Sequence, residues 1–137
     1  MRSLINISEG ASLALHSLAL ITARKPQKLN VKTLADRLDA SPAHLAKVLQ
    51  KLSKAGLVRS YRGPAGGFTL ERLPEDVSLL EIYEVIEGKI NLSDCPVGRE
   101  ECMFDKCIFN NSLNRISKEI YNTLKQIKLS NFSEELE

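Results

Sequence analysis

Residues 34–70 read LADRLDASPAHLAKVLQKLSKAGLVRSYRGPAGGFTL, and this stretch decides the fold. Apolar residues recur at spacings of three and four, which predicts amphipathic helices over Val31–Leu38 and over Pro42 to about Ala55. A tight turn separates them, and Ser41 followed by proline supplies an N-cap and a first-turn residue for the second helix. Gly56 is the matching C-terminal stop. The pattern predicts a helix-turn-helix.

Two short strands are predicted directly after this helix pair. Leu57–Tyr61 (LVRSY) and Gly67–Leu70 (GFTL) have strand composition, and the glycines and proline of Arg62–Gly67 suit a hairpin tip. A hairpin in this position is a wing, so the predicted unit is a winged helix-turn-helix. An arginine held at the tip suits the narrow, electronegative minor groove of DNA.

The second helix is predicted to turn a cationic, polar face away from its apolar residues. Such a face is typical of a recognition helix, although the same lysines would also suit a solvated helix surface. We predict contacts to bases near the helix start, to phosphate further along and to the minor groove from the wing. The candidate DNA-binding residues are Ser41, His44, Lys47, Lys51, Arg62, Gly63 and Pro64.

Further helices are predicted on both sides of this unit. Ser8 to about Thr22 is an apolar run with an N-cap candidate, and Val77–Glu87 is amphipathic. Asn110 or Asn111 to about Leu129 carries a near-heptad apolar stripe, which favours a partner helix. The stripe would either cap its own domain or pair with a second copy. We predict a homodimer that presents two recognition helices to a palindromic operator in double-stranded DNA.

Charge is divided unevenly along the 137 residues. Residues 1–72 hold 12 Lys and Arg against 4 Asp and Glu, whereas residues 73–137 hold 7 against 13. We therefore predict a DNA-binding domain over residues 1–75 and a sensor segment with a dimerisation helix over residues 76–137. No apolar run reaches bilayer length and no secretory signal begins the chain, so we expect a cytoplasmic protein without membrane contact.

Three cysteines, Cys95, Cys102 and Cys107, are clustered with the spacing C-x6-C-x4-C. A polar segment containing proline and glycine surrounds them, so we expect accessible thiols that bind a metal. Zinc prefers closer pairs, whereas an iron-sulfur cluster accepts wider loops, and either group needs a fourth ligand. A reversible disulfide between two of the thiols stays open as an alternative that needs no fourth ligand.

Several of these segments together resemble the Rrf2 type of winged-helix regulators. The resemblance covers nearly the whole chain, from SLALHSLAL (12–20) to the long last helix. Its most specific parts are KLSKAGLV (51–58) followed by RGPAGGF (62–68), and the three cysteines. It implies a homodimeric transcription regulator. It also implies that the three cysteines ligate an iron-sulfur cluster, 2Fe-2S or 4Fe-4S, that responds to redox state, nitric oxide or iron-sulfur status. We expect 2Fe-2S in preference to 4Fe-4S.

At two positions where members of this family carry the fourth ligand, this chain has a different residue. IscR-like members place a histidine three residues after the third cysteine, where this chain has Asn110, and NsrR-like members use a first-helix aspartate, where this chain has Ser12. RsrR-like members use a first-helix histidine, which matches His16, so His16 is the predicted ligand, from the same chain or from the partner subunit. A silent core histidine is the alternative, and Glu9 and Asp94 are substitute ligands.

The predicted function is a DNA-binding transcriptional regulator controlled by an iron-sulfur cluster. The alternative is a winged-helix regulator with a zinc site or a thiol switch. An enzyme is not expected, because the chain has no nucleophile-base pairing, phosphate loop or carboxylate dyad, and GPAGGF lies in a hairpin instead of opening a helix.

Overall fold

The computed structural model describes residues 3–92, 95 and 97–133. Within these residues the chain forms five α-helices and one two-stranded antiparallel sheet, which confirms the predicted, mainly helical fold with a small wing. In chain order the elements are α1 (Glu9–Ala23), α2 (Val31–Leu38), α3 (Pro42–Lys54), β1 (Val58–Tyr61), β2 (Gly67–Leu70), α4 (Leu79–Glu87) and α5 (Ser112–Gln126), with short 3₁₀ turns at Pro74–Asp76 and Leu129–Phe132.

Short polar side chains begin the helices of the helix-turn-helix. The Asn30 carboxamide oxygen accepts from the amide of Thr33 at 2.8 Å and caps α2. Asp39, in the left-handed region at φ 49°, ends that helix, and Ser41 then caps α3. Each cap satisfies a backbone group that the helix end would leave unpaired, which fixes where the turn between the two helices lies.

The wing is joined to the rest of the domain by a third backbone segment. β1 pairs with β2 in the register Val58↔Leu70 to Tyr61↔Gly67. Leu29, just before α2, exchanges two backbone hydrogen bonds with Phe68, with N···O distances of 3.2 and 2.8 Å. The sheet therefore holds the start of α2 as well as its own hairpin.

The core is built around α1, which packs against α2, α3, α4 and the last 3₁₀ turn. Its fully buried side chains include Leu18 and Ile21. Val77, Ile82 and Leu129 belong to the same apolar cluster as the residues of the helix-turn-helix. One continuous core thus spans both sides of the predicted boundary at residue 75, and the division into two domains stays a prediction about function.

The last predicted helix is shorter than expected at both ends. It begins at Ser112, because Asn110 and Asn111 adopt left-handed backbone conformations. It ends at Gln126 instead of Leu129, because the next residues pair with the chain before α4: the amide of Leu79 donates to the carbonyl of Ile127, and the amide of Leu129 donates to Val77, both at 3.0 Å. This pairing also moves the start of α4 from the predicted Val77 to Leu79.

No residue of α5 is buried. Its apolar stripe is at least partly open to solvent, with relative exposures of 36% for Leu113, 40% for Ile116 and 39% for Ile120. No helix in the described part of the chain is long and apolar enough to cross a membrane.

Candidate functional site

The predicted DNA-reading residues lie on one helix and one hairpin. Ser41 caps α3, its hydroxyl oxygen accepting from the amide of His44 at 3.4 Å. Lys47 and Lys51 follow on exposed positions of α3, and residues 62–64 are exposed at the wing tip. The apolar face of α3 is buried as expected, which leaves the cationic face accessible. Its buried residues are Leu45, Val48, Leu49 and Leu52.

His44 also contacts the first turn of α1. Its Nδ1 lies 3.6 Å from a carboxylate oxygen of Glu9, so the two form an ion pair when the imidazole is protonated. Gly10, in the first turn of α1, faces α3 and α4: a Cβ there would lie 3.4 Å from Ile86 and 4.0 Å from Nε2 of His44. The start of the recognition helix is thus packed closely against the first helix.

Three further residues with DNA-binding chemistry were not predicted from the sequence. The Lys28 ammonium lies 4.1 Å, and the Arg59 guanidinium 5.3 Å, from the centre of the Tyr61 ring at the base of the wing. Lys28 is far from the other two along the chain, and only the pairing of Leu29 with Phe68 brings it beside them. The one feature of the sequence that pointed to Lys28 was the excess of basic residues in residues 1–72.

The three cysteines line a single cavity of about 310 Å³. None of the three forms a disulfide bond; Cys102 is exposed, and Cys95 and Cys107 are half-buried. The predicted accessibility is therefore correct. Arg99 and several apolar residues complete the lining, namely Val97, Met103, Phe104, Ile108 and Phe109.

The thiol of Cys95 is biased toward thiolate. Backbone amides of Arg99 and Val97 hydrogen-bond to its sulfur and lower its pKa from the usual thiol value. Partial desolvation opposes this shift, while the Gly98 amide and the positive charge of Arg99 assist it. Because the thiolate is both the metal ligand and the nucleophile, this environment suits metal binding and thiol chemistry alike.

His16 lies on α1, exposed to solvent, so the alternative of a core histidine is wrong. Its Nδ1 is 2.7 Å from the carbonyl oxygen of Ser12. A carbonyl only accepts, so this contact is a hydrogen bond in the tautomer that carries the proton on Nδ1, and in that tautomer Nε2 keeps its lone pair. A backbone carbonyl that orients the imidazole in this way is the usual outer-shell arrangement of a metal-binding histidine.

The described part of one chain does not bring His16 to the cysteines. His16 lines a separate cavity of about 290 Å³ with Arg37, Phe132 and other residues, none of which lines the cysteine cavity. Among the described residues no three His, Cys, Asp or Glu side chains are grouped closely enough to hold a metal ion. Asn110 is exposed near the cysteines, and Asp94 lies outside the described residues.

The donor set nevertheless suits iron and sulfide. Three soft thiols share one partly apolar cavity, one of them is biased toward thiolate, and apolar surroundings with backbone amides are typical of iron-sulfur sites. Within the described part of one protomer, two elements are missing: a close grouping of the three thiols and a fourth ligand.

Known proteins similar to this chain are regulators of transcription. Residues 7–135 match the model of the family Rrf2, described as "Iron-dependent Transcriptional regulator". The putative regulator YffB of Lactococcus lactis is 30% identical over 124 residues, which cover 85% of this chain and 80% of that protein. NsrR of Bacillus licheniformis is 31% identical, covering 80% and 78%, and IscR of Cereibacter sphaeroides is 30% identical, covering 88% and 79%.

The fold has a close match among solved structures. CymR (YrzC), the global cysteine regulator of B. subtilis, superimposes with a TM-score of 0.76 at 23% identity, covering 98% of this chain and 100% of that one. The similar proteins are regulators and not enzymes, which confirms the expectation that this chain is no enzyme. With a winged helix-turn-helix fold and a family match over nearly its whole length, the chain belongs to the Rrf2 family of transcriptional regulators.

Proposed function

We propose that this protein is a homodimeric regulator whose binding to a palindromic operator is controlled by an iron-sulfur cluster, 2Fe-2S in preference to 4Fe-4S. Cys95, Cys102 and Cys107 hold the cluster. The observation that carries the proposal is the lining of one cavity by all three thiols of the chain. The cluster supplies a centre that reacts with oxidants and nitric oxide.

The fourth ligand is His16 of the partner subunit. Two features of His16 support this assignment: it is exposed on α1, and the carbonyl of Ser12 leaves Nε2 with its lone pair free for a metal. Since one chain keeps the imidazole and the thiols on separate cavities, a second copy is the natural source of the ligand.

Dimerisation through α5 is supported by its apolar stripe. Leu113, Ile116 and Ile120 recur at spacings of three and four and remain exposed in the single chain. Exposed apolar residues in one helical stripe favour a partner helix, and a second copy offers the same stripe in a two-fold arrangement.

DNA is read by the exposed face of α3 and by the wing tip. Ser41, His44 and Lys47 lie near the start of α3 and are assigned to the major groove, and Lys51 is assigned to phosphate. Residues 62–64 are assigned to the minor groove. Lys47, Lys51 and residues 62–64 are exposed, and the elements that carry them pack on the rest of the domain. This supports the assignment of α3 to the major groove and of the wing to the minor groove.

A chain of contacts connects the residues that directly follow α4, and precede the cysteines, to the recognition helix. Beyond α4, the amide of Ile90 donates to a carboxylate oxygen of Glu84 at 2.9 Å. One turn later, Glu87 accepts a hydrogen bond from the hydroxyl of Ser8, the N-cap of α1. Glu9, the next residue, contacts His44 in α3. A change in the residues after α4 can therefore shift the start of α3. This requires two conformations of these contacts, and a signal that stabilises one conformation more than the other.

Anaerobic reconstitution tests the proposal directly. The purified chain is loaded with iron and sulfide, both are counted per protomer, and DNA binding is measured before and after exposure to an oxidant or nitric oxide. We expect a coloured protein with visible thiolate-to-iron absorption and an operator affinity that changes with the state of the cluster. A protein that takes up neither iron nor sulfide contradicts the proposal.

A zinc site or a thiol switch is the second candidate. It is favoured by one specific observation, the free, exposed Cys102 in the same cavity as the thiolate-biased Cys95. In that case the protein is colourless, and mild oxidation links two cysteines and changes DNA binding without any iron present. Mass spectrometry of the oxidised, metal-free chain separates this candidate from the first.

A further inference from the structure

Two cations share one aromatic ring at the base of the wing. The ammonium of Lys28 and the guanidinium of Arg59 lie 4.1 and 5.3 Å from the centre of the Tyr61 ring. Both distances are within the range of about 6 Å over which a ring face attracts a cation. We call these three residues the wing-base cluster.

The backbone holds the cluster together. Arg59 and Tyr61 are two residues apart on β1 and therefore share a face of the sheet. Lys28 is brought beside them because Leu29 pairs with Phe68 in β2. A Cβ on Gly67, the pairing partner of Tyr61, would lie only 2.8 Å from the carbonyl carbon of Leu29, so the glycine permits this close approach.

The cluster presents charge to solvent. Lys28 and Arg59 are exposed, Tyr61 is half-buried, and the ion pairs of the described residues involve neither cation. Contact with the ring face leaves N–H groups available for an anion. It also restrains two long side chains before binding, which reduces the entropy lost when they meet a ligand.

We propose that the wing-base cluster is a phosphate-binding site for the DNA backbone beside the groove that the wing enters. This inference rests on the proposed DNA-reading role of α3 and the wing. The cluster lies beside the wing tip, since Tyr61 ends β1 and directly precedes Arg62, and all three of its residues belong to the basic part of the chain. A row of phosphates is the anion that such a surface meets when the wing lies against DNA.

Salt dependence of DNA binding tests the cluster. The probe is a 5′-labelled duplex of random sequence about 40 base pairs long, because phosphate contacts are independent of sequence. The full-length double variant Lys28→Gln, Arg59→Gln is expected to bind about tenfold more weakly near 0.1 M salt. The slope of log affinity against log salt is expected to fall by about 0.9 for each phosphate that the variant no longer neutralises.

Matched variants separate a local effect from a general loss of charge. Lys89→Gln, Lys125→Gln removes two exposed cations elsewhere and is expected to change affinity less than about twofold. Tyr61→Leu keeps the net charge but removes the ring, with an expected loss of about threefold, whereas Tyr61→Phe keeps the ring and binds as the wild type does. Equal melting temperatures ensure that folding is not the cause.

The outcomes distinguish this inference from the proposed function. Equal losses for the two double variants, or a Tyr61→Leu variant that binds as well as Tyr61→Phe, overturn the phosphate site while DNA binding by α3 and the wing stands. A wild-type protein that binds no duplex overturns both.

Discussion

Nδ1 of His44, in the recognition helix α3, lies 3.6 Å from a carboxylate oxygen of Glu9, in the first turn of α1. The pair is partly exposed, so its contribution to stability is small, about 0.2–1 kcal/mol. The pair matters because of its position: it connects α3, the helix assigned to DNA, with α1, whose N-cap contacts α4.

The first prediction concerns this pair. A double-mutant cycle of Glu9→Gln and His44→Gln, measured by urea unfolding, is expected to give a coupling free energy of up to about 1 kcal/mol at low salt. Salt screens an ion pair between exposed groups, so the coupling must shrink as the salt concentration is raised to about 1 M. A coupling that does not depend on salt would show that the contact is not ionic.

The second prediction concerns Gly67, which has a φ of 146° and packs against Leu29. Gly67→Ala is expected to lower the free energy of unfolding by about 2–4 kcal/mol, because backbone strain and a steric clash act together. Gly56→Ala, at a φ of 78° in open space, is the control and is expected to cost only about 1 kcal/mol. Equal losses would mean that the clash is relieved by a small shift of the wing.

The third prediction concerns the fourth ligand. His16→Ala is expected to lower cluster occupancy and to speed cluster loss about tenfold, because removing one ligand exposes iron to solvent. Asn110→His in the same chain is expected to restore stability, since it supplies an imidazole near Cys107 and histidine tolerates the left-handed backbone there.

Visible absorption during exposure to a chelator measures these rates. His44→Ala serves as the control, since it removes the other histidine of the chain. Cluster loss from His16→Ala at the wild-type rate would exclude His16 as a ligand.

The fourth prediction concerns α5. Ile116→Glu with Ile120→Glu places charge in the apolar stripe and is expected to convert the proposed dimer into a monomer, because a charged pair cannot be buried without partners. Asn122→Glu with Lys118→Glu, on the opposite side of the helix, is expected to leave the dimer intact. Light scattering measures the mass, and dimers in both variants would place the subunit interface elsewhere.

The fifth prediction concerns Cys95 in the metal-free chain. In a Cys102→Ser, Cys107→Ser variant it is the sole thiol, and its rate of alkylation should reach half-maximum below the ordinary thiol pKa, because the amides of Arg99 and Val97 stabilise the thiolate. Reactivity is therefore retained as the pH falls through the usual thiol range and is lost only below the lowered pKa. A midpoint at or above the ordinary value contradicts this environment.

The amino-acid sequence by itself determined the helix-turn-helix and the wing. Their signals are local: Ser41 with proline starts α3, Gly56 follows its end, and turn-forming residues separate two strands. The position of the three cysteines between two helices followed from the same kind of local pattern. Such signals act over a few residues, so they can be recognised without knowing the rest of the fold.

Only the tertiary structure decided contacts between residues far apart in sequence. Pairing of Val77–Leu79 with Ile127–Leu129 overrode the helical pattern at the end of α5. Packing between elements put Lys28 on Tyr61, joined Glu9 to His44, and left His16 exposed and away from the thiols. These contacts depend on how whole elements pack and pair, and neither helical periodicity nor spacing along the chain encodes that geometry.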